Sequence, residues 1–248
     1  MITALGMYDP PALRAANDRY WQAIRDHLGH GPTALTRDRD MWHIWMSPDL
    51  LLSQTCGYPY RAHLHGKVQL VGTPDFGLPD TPPGHYYSVF LARTDHPAKT
   101  LEDFAGSVFA FNEPLSQSGW AAPMIHATGR VTFSRYLQTG AHAASAAAVS
   151  EGHADLTAID AVTWNILLAH DPIAQNLQVV EQTAPTPGLP YITAPGRDAA
   201  ALAQATRAAI AGLSDGERSL LHLRDLISIP AEDYLSVPTP PAPQATAA

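Results

Sequence analysis

The amino-terminal stretch gives the first indication of the fold class. Residues 1–31 read MITALGMYDPPALRAANDRYWQAIRDHLGHG. Ile2–Tyr8 is short and apolar, which predicts a buried strand. Asp9 and the two prolines after it are typical of a helix start, and apolar residues then recur at three- and four-residue spacing as far as Leu28. Gly29 predicts the end of this helix. A strand followed directly by an amphipathic helix predicts an α/β fold.

The same alternation continues along the chain. Apolar runs predict strands at 68–71, 87–92, 107–111, 156–159 and 177–180, and helical periodicity predicts helices at 101–105, 119–128, 141–151, 161–170 and 199–213. Ser214, followed three residues later by Glu217, fits a capping box at the start of a further helix. Repeated strand–helix units predict mostly parallel sheets flanked by helices.

Composition limits the classes of function. The chain has 248 residues, 46% hydrophobic and 15% charged, which excludes an extended disordered chain. Its formal net charge of −8 argues against nucleic-acid binding, so any anionic ligand must be held locally. Cys56 is the single cysteine, and His63 and His65 lack a third ligand nearby, so we expect no disulfide, no metal site and no cofactor. The chain lacks an apolar run of about 18 residues and a signal-peptide pattern after Met1, so we expect neither membrane insertion nor an export signal.

The most specific local feature is the junction Asn112-Glu113-Pro114-Leu115-Ser116-Gln117-Ser118-Gly119-Trp120, which lies between a predicted strand and a predicted helix. The first turn of a helix leaves backbone N–H groups unpaired, and hydroxyls at 116 and 118 add donors, so an anion could bind here. Glycine at 119 permits close approach. The alternative is that Ser118 only caps the helix, and Pro123 should distort its first turns.

Two further polar residues follow predicted strands or begin predicted helices. His142 lies near a helix start after Gly140 and could donate to an oxyanion, although a capping or surface histidine is an equal alternative. Asp160 directly follows a buried strand, at the kind of edge where ligands of open α/β sheets bind. Its alternative role is to cap the helix beginning at Ala161, and both roles can coexist.

Other candidates are tyrosines and amide or hydroxyl side chains in loops. Tyr8 follows the first strand, and Gln54, Thr55 and Tyr58 follow another apolar run. Such side chains suit a small polar ligand, although core packing is the simpler explanation for each tyrosine alone. Tyr86 begins a predicted strand, so it and its neighbour should face opposite sides.

Several segments in order resemble the phosphate/phosphonate-type substrate-binding proteins of ABC transporters. The segments are MYDP (7–10), LLSQTCGYPY (51–60), YYSVFLAR (86–93), LEDFAG (101–106), NEPLSQSGW (112–120), TGAHAASAAAVSEGHADLTAIDAVTW (139–164) and TPGLPYITAP (186–195). The resemblance implies a type II periplasmic-binding-protein fold, in which two α/β lobes are joined by two crossovers and the ligand lies in the cleft between them. Its anion loop falls on Ser116, Gln117, Ser118 and Gly119, and its histidine and aspartate fall on His142 and Asp160. Gln117 stands where a small hydroxyl residue is common in the family.

The resemblance also implies an organisation and a role. The Gly/Pro-rich segments Gly72–Gly84 and Ala184–Pro190 favour one discontinuous lobe of residues 1–88 and 191–248, with 237–248 as a mobile tail, and a second lobe of 89–190. We expect a monomeric, non-enzymatic receptor for a small phosphonate- or phosphate-like oxyanion, with an ABC transporter permease as its partner. A periplasmic location is expected from the family, and the missing signal-peptide pattern leaves a cytoplasmic location as the alternative. The alternatives are a cytosolic small-metabolite enzyme or a ligand sensor on the same scaffold, although the sequence has no common hydrolase, NTPase or dinucleotide motif.

Overall fold

The computed structural model describes residues 1–243 and has an α/β architecture. The chain divides into two compact units. Unit 1 comprises Met1–His85 and Pro187–Ser236, and unit 2 comprises Tyr86–Thr186 and the described part of Val237–Ala248. Each unit contains a five-stranded mixed sheet flanked by helices.

Strands and helices alternate along much of the chain, although the helix predicted at 101–105 is a 3-10 turn and the strand Arg135–Gln138 was not predicted. The strands are β1 (Ile2–Ala4), β2 (Leu50–Gln54), β3 (Gln69–Asp75), β4 (His85–Tyr86), β5 (Ser88–Arg93), β6 (Val108–Phe111), β7 (Arg135–Gln138), β8 (Leu156–Asp160), β9 (Leu177–Gln182), β10 (Thr186–Pro187), β11 (Tyr191–Thr193) and β12 (Asp225–Ile227). The α-helices are α1 (Arg14–Leu28), α2 (Met41–Trp45), α3 (Gly57–Pro59), α4 (Ala122–Ala127), α5 (His142–Ser150), α6 (Ala161–His170), α7 (Ala199–Ala211), α8 (Asp215–Leu221) and α9 (Ala231–Leu235). Shorter 3-10 turns cover Gly6–Tyr8, Glu102–Phe104 and Pro172–Asn176, and π turns cover Tyr60–Leu64 and Gln117–Ala121.

The sheet of unit 1 has the strand order β1-β2-β11-β3-β12. β1 and β2 pair in parallel, whereas β11 is antiparallel to both β2 and β3, and β12 is antiparallel to β3. β1, β2 and β3 therefore run in one direction and end at the same edge. Helix α1 packs against α7, and its Trp21 and Ile24 are buried in the core.

The sheet of unit 2 has the strand order β7-β6-β8-β5-β9. β6 pairs in parallel with both β7 and β8, whereas β5 is antiparallel to β8 and β9. The prediction of mostly parallel sheets therefore needs a correction, because β5 and β11 each run against their neighbours. The three parallel strands β7, β6 and β8 end at one edge, which we call the carboxyl edge of unit 2.

The helix start and stop signals act as predicted. Gly29 ends α1 in the left-handed conformation with φ +79°, which glycine adopts without strain. Ser214 and Glu217 form the predicted capping box of α8. The first strand is shorter than predicted, because the chain leaves β1 after Ala4 and forms a 3-10 turn over Gly6–Tyr8.

The C-terminal segment differs from its prediction as a mobile tail of the first lobe. Residues 237–243 belong to unit 2, where the indole Nε1–H of Trp120 donates to the carbonyl of Pro241 at 3.1 Å. Proline composition alone predicted mobility, but it does not report the aromatic partner. Residues 244–248 of the predicted tail lie outside the described residues.

We find no helix in the described part of the chain that is both long enough and apolar enough to cross a membrane.

Candidate functional site

Polar residues from three segments of the chain lie at the carboxyl edge of unit 2. The loop after β6 begins at Asn112, the loop after β7 leads to His142 at the start of α5, and β8 ends in Asp160. Because neighbouring parallel strands end at the same edge, residues distant in sequence come together here. Two helices, α5 and α6, also begin at this edge, so their positive dipole ends lie beside these residues.

The loop after β6 turns sharply through a π turn. Ser116 caps this turn, because its Oγ accepts a hydrogen bond from the N–H of Gly119 at 2.9 Å. The N–H groups of Trp120 and Ala121 both donate to the carbonyl of Ser116, at 3.3 and 3.0 Å. Pro123, which has no N–H, is the second residue of α4 and follows the π turn directly. The irregular turn lies where Pro123 was predicted to distort the start of the helix. The alternative in which Ser118 caps the helix is therefore wrong.

Ser118 instead contacts His142. The Ser118 Oγ and His142 Nε2 atoms lie 2.9 Å apart, and the same nitrogen lies 3.5 Å from Asp160 Oδ2. Ser118 is 1% exposed and Asp160 is 2% exposed. The His142 side chain is 15% exposed, so the three polar groups form one largely buried cluster, which we call the Ser118–His142–Asp160 cluster.

Burial determines the charge of His142. Burial lowers the pKa of the His142 imidazole below its usual 6.5, although the nearby Asp160 carboxylate acts in the opposite direction. The neutral ring is therefore favoured at neutral pH. With its proton on Nε2, the neutral ring donates toward Ser118 Oγ or Asp160 Oδ2, and Nδ1 is the acceptor nitrogen of that tautomer. His142 Nδ1 is buried and has no hydrogen-bond partner among residues 1–243.

Asp160 caps helix α6, which confirms the alternative stated from the sequence. Its Oδ1 accepts from the Thr163 N–H at 2.8 Å, and its Oδ2 accepts from the Thr163 hydroxyl at 2.6 Å. Helix α5 differs, because its N-cap residue Ala141 makes no side-chain capping bond. The first turn of the nine-residue helix α5 thus receives no capping bond from its own N-cap side chain.

Asn112 lies at the same carboxyl edge of unit 2, but the sequence analysis did not select it as a site residue. Its Oδ1 is buried without a hydrogen-bond partner in the described range 1–243. A methyl group at Gly119 would clash with this oxygen and would lie 3.1 Å from His142 Cε1, so glycine is required for close packing here. Asn112 directly follows β6, where the chain leaves the sheet. This position after a predicted strand is the sequence feature that could have identified it as a site residue.

The cluster differs from a Ser–His–Asp nucleophilic triad. In a triad the serine and the aspartate contact different nitrogens of the imidazole, so that a proton can pass from the serine to a ring that the aspartate orients. Here Ser118 and Asp160 both lie beside Nε2, and the Asp160 oxygens also accept from Thr163. This geometry holds donors in place rather than relaying a proton.

The candidates of unit 1 lie at the ends of its parallel strands. Tyr8 ends the turn after β1, is 8% exposed and packs edge-on against Phe76, with ring centroids 5.1 Å apart. Gln54 ends β2, and its Nε2 donates to the carbonyl of Leu189 at 3.2 Å. The same loop continues into Thr55, a buried residue.

The next residues of that loop are also packed. Tyr58 is buried, and the Arg61 guanidinium lies 4.4 Å from the centre of its ring. The Thr55 N–H donates to the carbonyl of Pro190 at 3.1 Å. Gln54 and Thr55 thus both hold the segment that leads into β11, which is a structural role for part of the candidate set.

Tyr86 and Tyr87 differ in their exposure to solvent. Tyr86 ends β4 and is 2% exposed, whereas Tyr87 is only partly buried. The carbonyl of Tyr87 accepts from the N–H of Ala161 at 3.0 Å, which places it next to Asp160 at the start of α6.

His63 and His65, which were considered as metal ligands, lie outside the Ser118–His142–Asp160 cluster. His63 packs edge-on against Trp42 within a π turn rather than on a strand, and His65 Nδ1 lies 3.3 Å from the Tyr60 hydroxyl. The described residues hold no group of three histidine, cysteine or acidic side chains able to bind a metal ion.

Comparison with solved structures identifies the class of fold, which is that of type II periplasmic binding proteins. PhnD1 from Prochlorococcus marinus, solved in complex with methylphosphonate, matches with a TM-score of 0.76 and 15% identity, over 94% of this chain and 93% of that one. A binding-protein component of an ABC phosphonate transporter from Pseudomonas aeruginosa matches with a TM-score of 0.69 and 16% identity, over 94% and 82%. A histidine kinase sensor domain with similarity to periplasmic binding proteins matches with a TM-score of 0.56 and 18% identity, over 97% and 98%. No curated protein sequence matches significantly.

The family follows from the sequence itself. Residues 49–229 match the family described as "ABC transporter, phosphonate, periplasmic substrate-binding protein". This match covers well over half of the 248 residues. The chain belongs to this family of substrate-binding proteins.

Proposed function

We propose that the chain captures a small phosphonate-type oxyanion at the carboxyl edge of unit 2 and releases it chemically unchanged. The observation that carries this proposal is the Ser118–His142–Asp160 cluster, in which Ser118 Oγ and His142 Nε2 lie 2.9 Å apart beside the start of α5. The methylphosphonate bound to the Prochlorococcus relative supports the choice of ligand class.

Local donors must overcome the overall charge of the chain, which is −8. The first turn of α5 offers N–H groups and a positive dipole end without a capping side chain. The Ser118 hydroxyl adds a side-chain donor, and its oxygen lies 2.9 Å from His142 Nε2, which holds it in place. Because these groups are buried, each hydrogen bond to an anion is stronger than it would be in bulk water.

Asp160 gives the site its selectivity. A carboxylate next to a fully ionised phosphate repels it, so the cluster favours a ligand that carries a proton on an oxygen or a cationic substituent. A singly protonated phosphonate or an aminoalkylphosphonate satisfies this condition. The two Thr163 hydrogen bonds fix the carboxylate in place, so it cannot turn away from the ligand at low cost.

The geometry supports a receptor over the enzyme alternative. Ser118 and Asp160 share one nitrogen of His142, so the serine lacks the oriented base that nucleophilic catalysis requires. The family membership supports the same conclusion.

Further ligand contacts are proposed for the remaining candidates. Gln117 and Gly119 belong to the same turn as Ser118, and Tyr86 lies just before the Tyr87 carbonyl that holds the start of α6. In unit 1, Tyr8 and Tyr58 are the preferred candidates. Gln54 and Thr55 rank lower, because both already bond to the segment before β11.

We propose that the chain works as a monomer in the periplasm and delivers its ligand to the permease of an ABC transporter. Membership of the family supports this role. Light scattering on the purified chain, with and without methylphosphonate, tests the oligomeric state. A dimer in both conditions would contradict the proposed monomer.

Titration calorimetry tests the ligand class. We expect saturable one-to-one binding for methylphosphonate and for at least one aminoalkylphosphonate, with phosphate and phosphite as discriminating ligands. Sulfate is the matched control, because it is a tetrahedral dianion that carries no proton near neutral pH. Tighter binding of sulfate than of every protonatable phosphonate would contradict the role given to Asp160.

A further inference from the structure

A groove on unit 2 is lined in part by Trp120, which belongs to the same π turn as Ser118. It has a volume of about 420 Å³ and is lined by Trp120, Met124, Phe133, Tyr136, Pro240 and Pro241, among others. Trp120 is 3% exposed and packs against Phe111 and Tyr136, with ring centroids 4.9 and 5.1 Å apart. The groove therefore has an aromatic wall formed by the unit and a proline wall formed by the C-terminal segment.

The C-terminal segment that forms the proline wall is chemically suited to the aromatic wall it faces. Residues 237–243 read VPTPPAP, and four of these seven residues are prolines. Proline-rich segments dock on aromatic grooves with little loss of conformational freedom, because each proline already has a fixed φ. The indole N–H of Trp120 supplies the directional contact, since it donates to the Pro241 carbonyl at 3.1 Å.

Trp120 links this segment to the proposed oxyanion site. Its backbone N–H donates to the carbonyl of Ser116 at 3.3 Å, and Ser116 Oγ in turn holds the N–H of Gly119. Ser118 lies between these anchored residues and directs its hydroxyl to His142 Nε2. The same π turn therefore carries Ser118, which contacts the proposed oxyanion site, and Trp120, which contacts the C-terminal segment two positions later.

We infer that residues 237–243 act as an intramolecular ligand of unit 2 that positions Ser118 through Trp120. Trp120 is a positioning residue, because it touches the segment and the turn but not the oxyanion. The inference rests on the proposed function. By linkage, a segment that tightens oxyanion binding must itself be tightened by the oxyanion to the same degree.

The test uses full-length chains. Pro240→Gly/Pro241→Gly loosens the segment without changing the aromatic wall, Trp120→Phe removes the indole donor, and Pro97→Gly is the control at an exposed proline of the same unit. The affinity for methylphosphonate is measured by calorimetry. The Trp120 indole N–H is followed by NMR on chains with ¹⁵N-labelled tryptophan, and its signal among the five tryptophans is assigned by its loss in Trp120→Phe.

We expect the double glycine variant and Trp120→Phe to raise the Kd for methylphosphonate about 3- to 10-fold, the range that the loss of one net hydrogen bond gives. Pro97→Gly should leave the Kd unchanged. Saturating methylphosphonate should slow hydrogen exchange at the Trp120 indole in the wild-type chain, a readout that a merely structural role would not move.

Two results overturn the inference in different ways. A wild-type Kd in the double glycine variant, together with a shifted Trp120 indole signal, would show that the segment detaches without affecting the oxyanion site. Absence of oxyanion binding by the wild-type chain would overturn the proposed function, and this inference with it.

Discussion

Ser118→Ala removes one hydroxyl from the Ser118–His142–Asp160 cluster without removing a helix cap. The Ser118 side chain lies 2.9 Å from His142 Nε2 and is 1% exposed. The cap of the turn belongs to Ser116, whose Oγ accepts from the N–H of Gly119. The two serines therefore allow ligand binding and local stability to be measured separately.

The structure sets the expected magnitudes. Loss of a buried hydrogen bond to a charged ligand costs about 1.5–3 kcal/mol, so Ser118→Ala should raise the Kd for methylphosphonate about 10- to 100-fold. Its unfolding free energy should fall by about 0.5–1.5 kcal/mol, because a neutral hydrogen bond to His142 is lost. Ser116→Ala should instead lower the unfolding free energy by about 0.5–2 kcal/mol through loss of the cap, with a smaller change in Kd.

Calorimetry with methylphosphonate and urea unfolding should be carried out on the same preparations of both variants. The reasoning predicts that Ser118→Ala has the larger loss of affinity of the two. Wild-type affinity in Ser118→Ala would refute the placement of the oxyanion site. A larger loss of affinity in Ser116→Ala would indicate that the shape of the turn, and not the Ser118 hydroxyl, determines binding.

The other predictions concern neighbouring residues. Burial lowers the pKa of His142 below 6.5, so the unfolding free energy of the ligand-free chain should fall as the pH decreases from about 6.5 toward the lowered pKa. Urea unfolding of His142→Gln should not show this fall. The same dependence of unfolding free energy on pH in the variant and the wild type would contradict the role given to His142. Gly119→Ala should lower the unfolding free energy by about 1–3 kcal/mol and weaken methylphosphonate binding, because its methyl clashes with Asn112 Oδ1, whereas Gly216→Ala, which meets nothing within 4 Å, should bind normally; equal affinities would count against the close packing. Asp160→Asn keeps a capping oxygen but loses the charge, so its methylphosphonate Kd should depend less on pH than that of the wild type between pH 6 and 8; identical pH profiles would remove Asp160 from ligand selection.

Much of the fold follows from local patterns. The apolar spacing before Gly29 predicts α1, and the Ser214 and Glu217 pair predicts the start of α8. Strand direction was harder to predict from sequence, because an apolar run such as Ser88–Arg93 has the same pattern whether the strand pairs in parallel or antiparallel. Pairing depends on where the chain returns to the sheet, which is a property of the whole fold.

The site was predictable in kind but not in detail. His142 and Asp160 were selected from the family resemblance and, separately, from their positions at a predicted helix start and after a predicted strand, and the structure brings both to one edge. The sequence could not distinguish Ser116 from Ser118 as the cap, because the choice depends on the π turn that precedes Pro123. Asn112 was missed although it also follows a strand of the same edge.

The C-terminal segment shows what composition leaves out. A run rich in proline and alanine without charge is typical of a tail that makes no contacts. Its described part instead meets the indole of Trp120, more than a hundred positions earlier in the chain. Only tertiary structure provides that partner.

Phosphorus NMR of methylphosphonate mixed with the wild-type chain tests the central claim most directly, because a single spectrum reports both binding and chemical change. The account predicts one saturable bound state that needs about 10- to 100-fold more ligand to saturate in Ser118→Ala, with the ligand recovered intact after prolonged incubation. A methylphosphonate signal that the wild-type chain leaves unperturbed, or a new phosphorus signal from a reaction product, would contradict the account of a phosphonate-binding receptor.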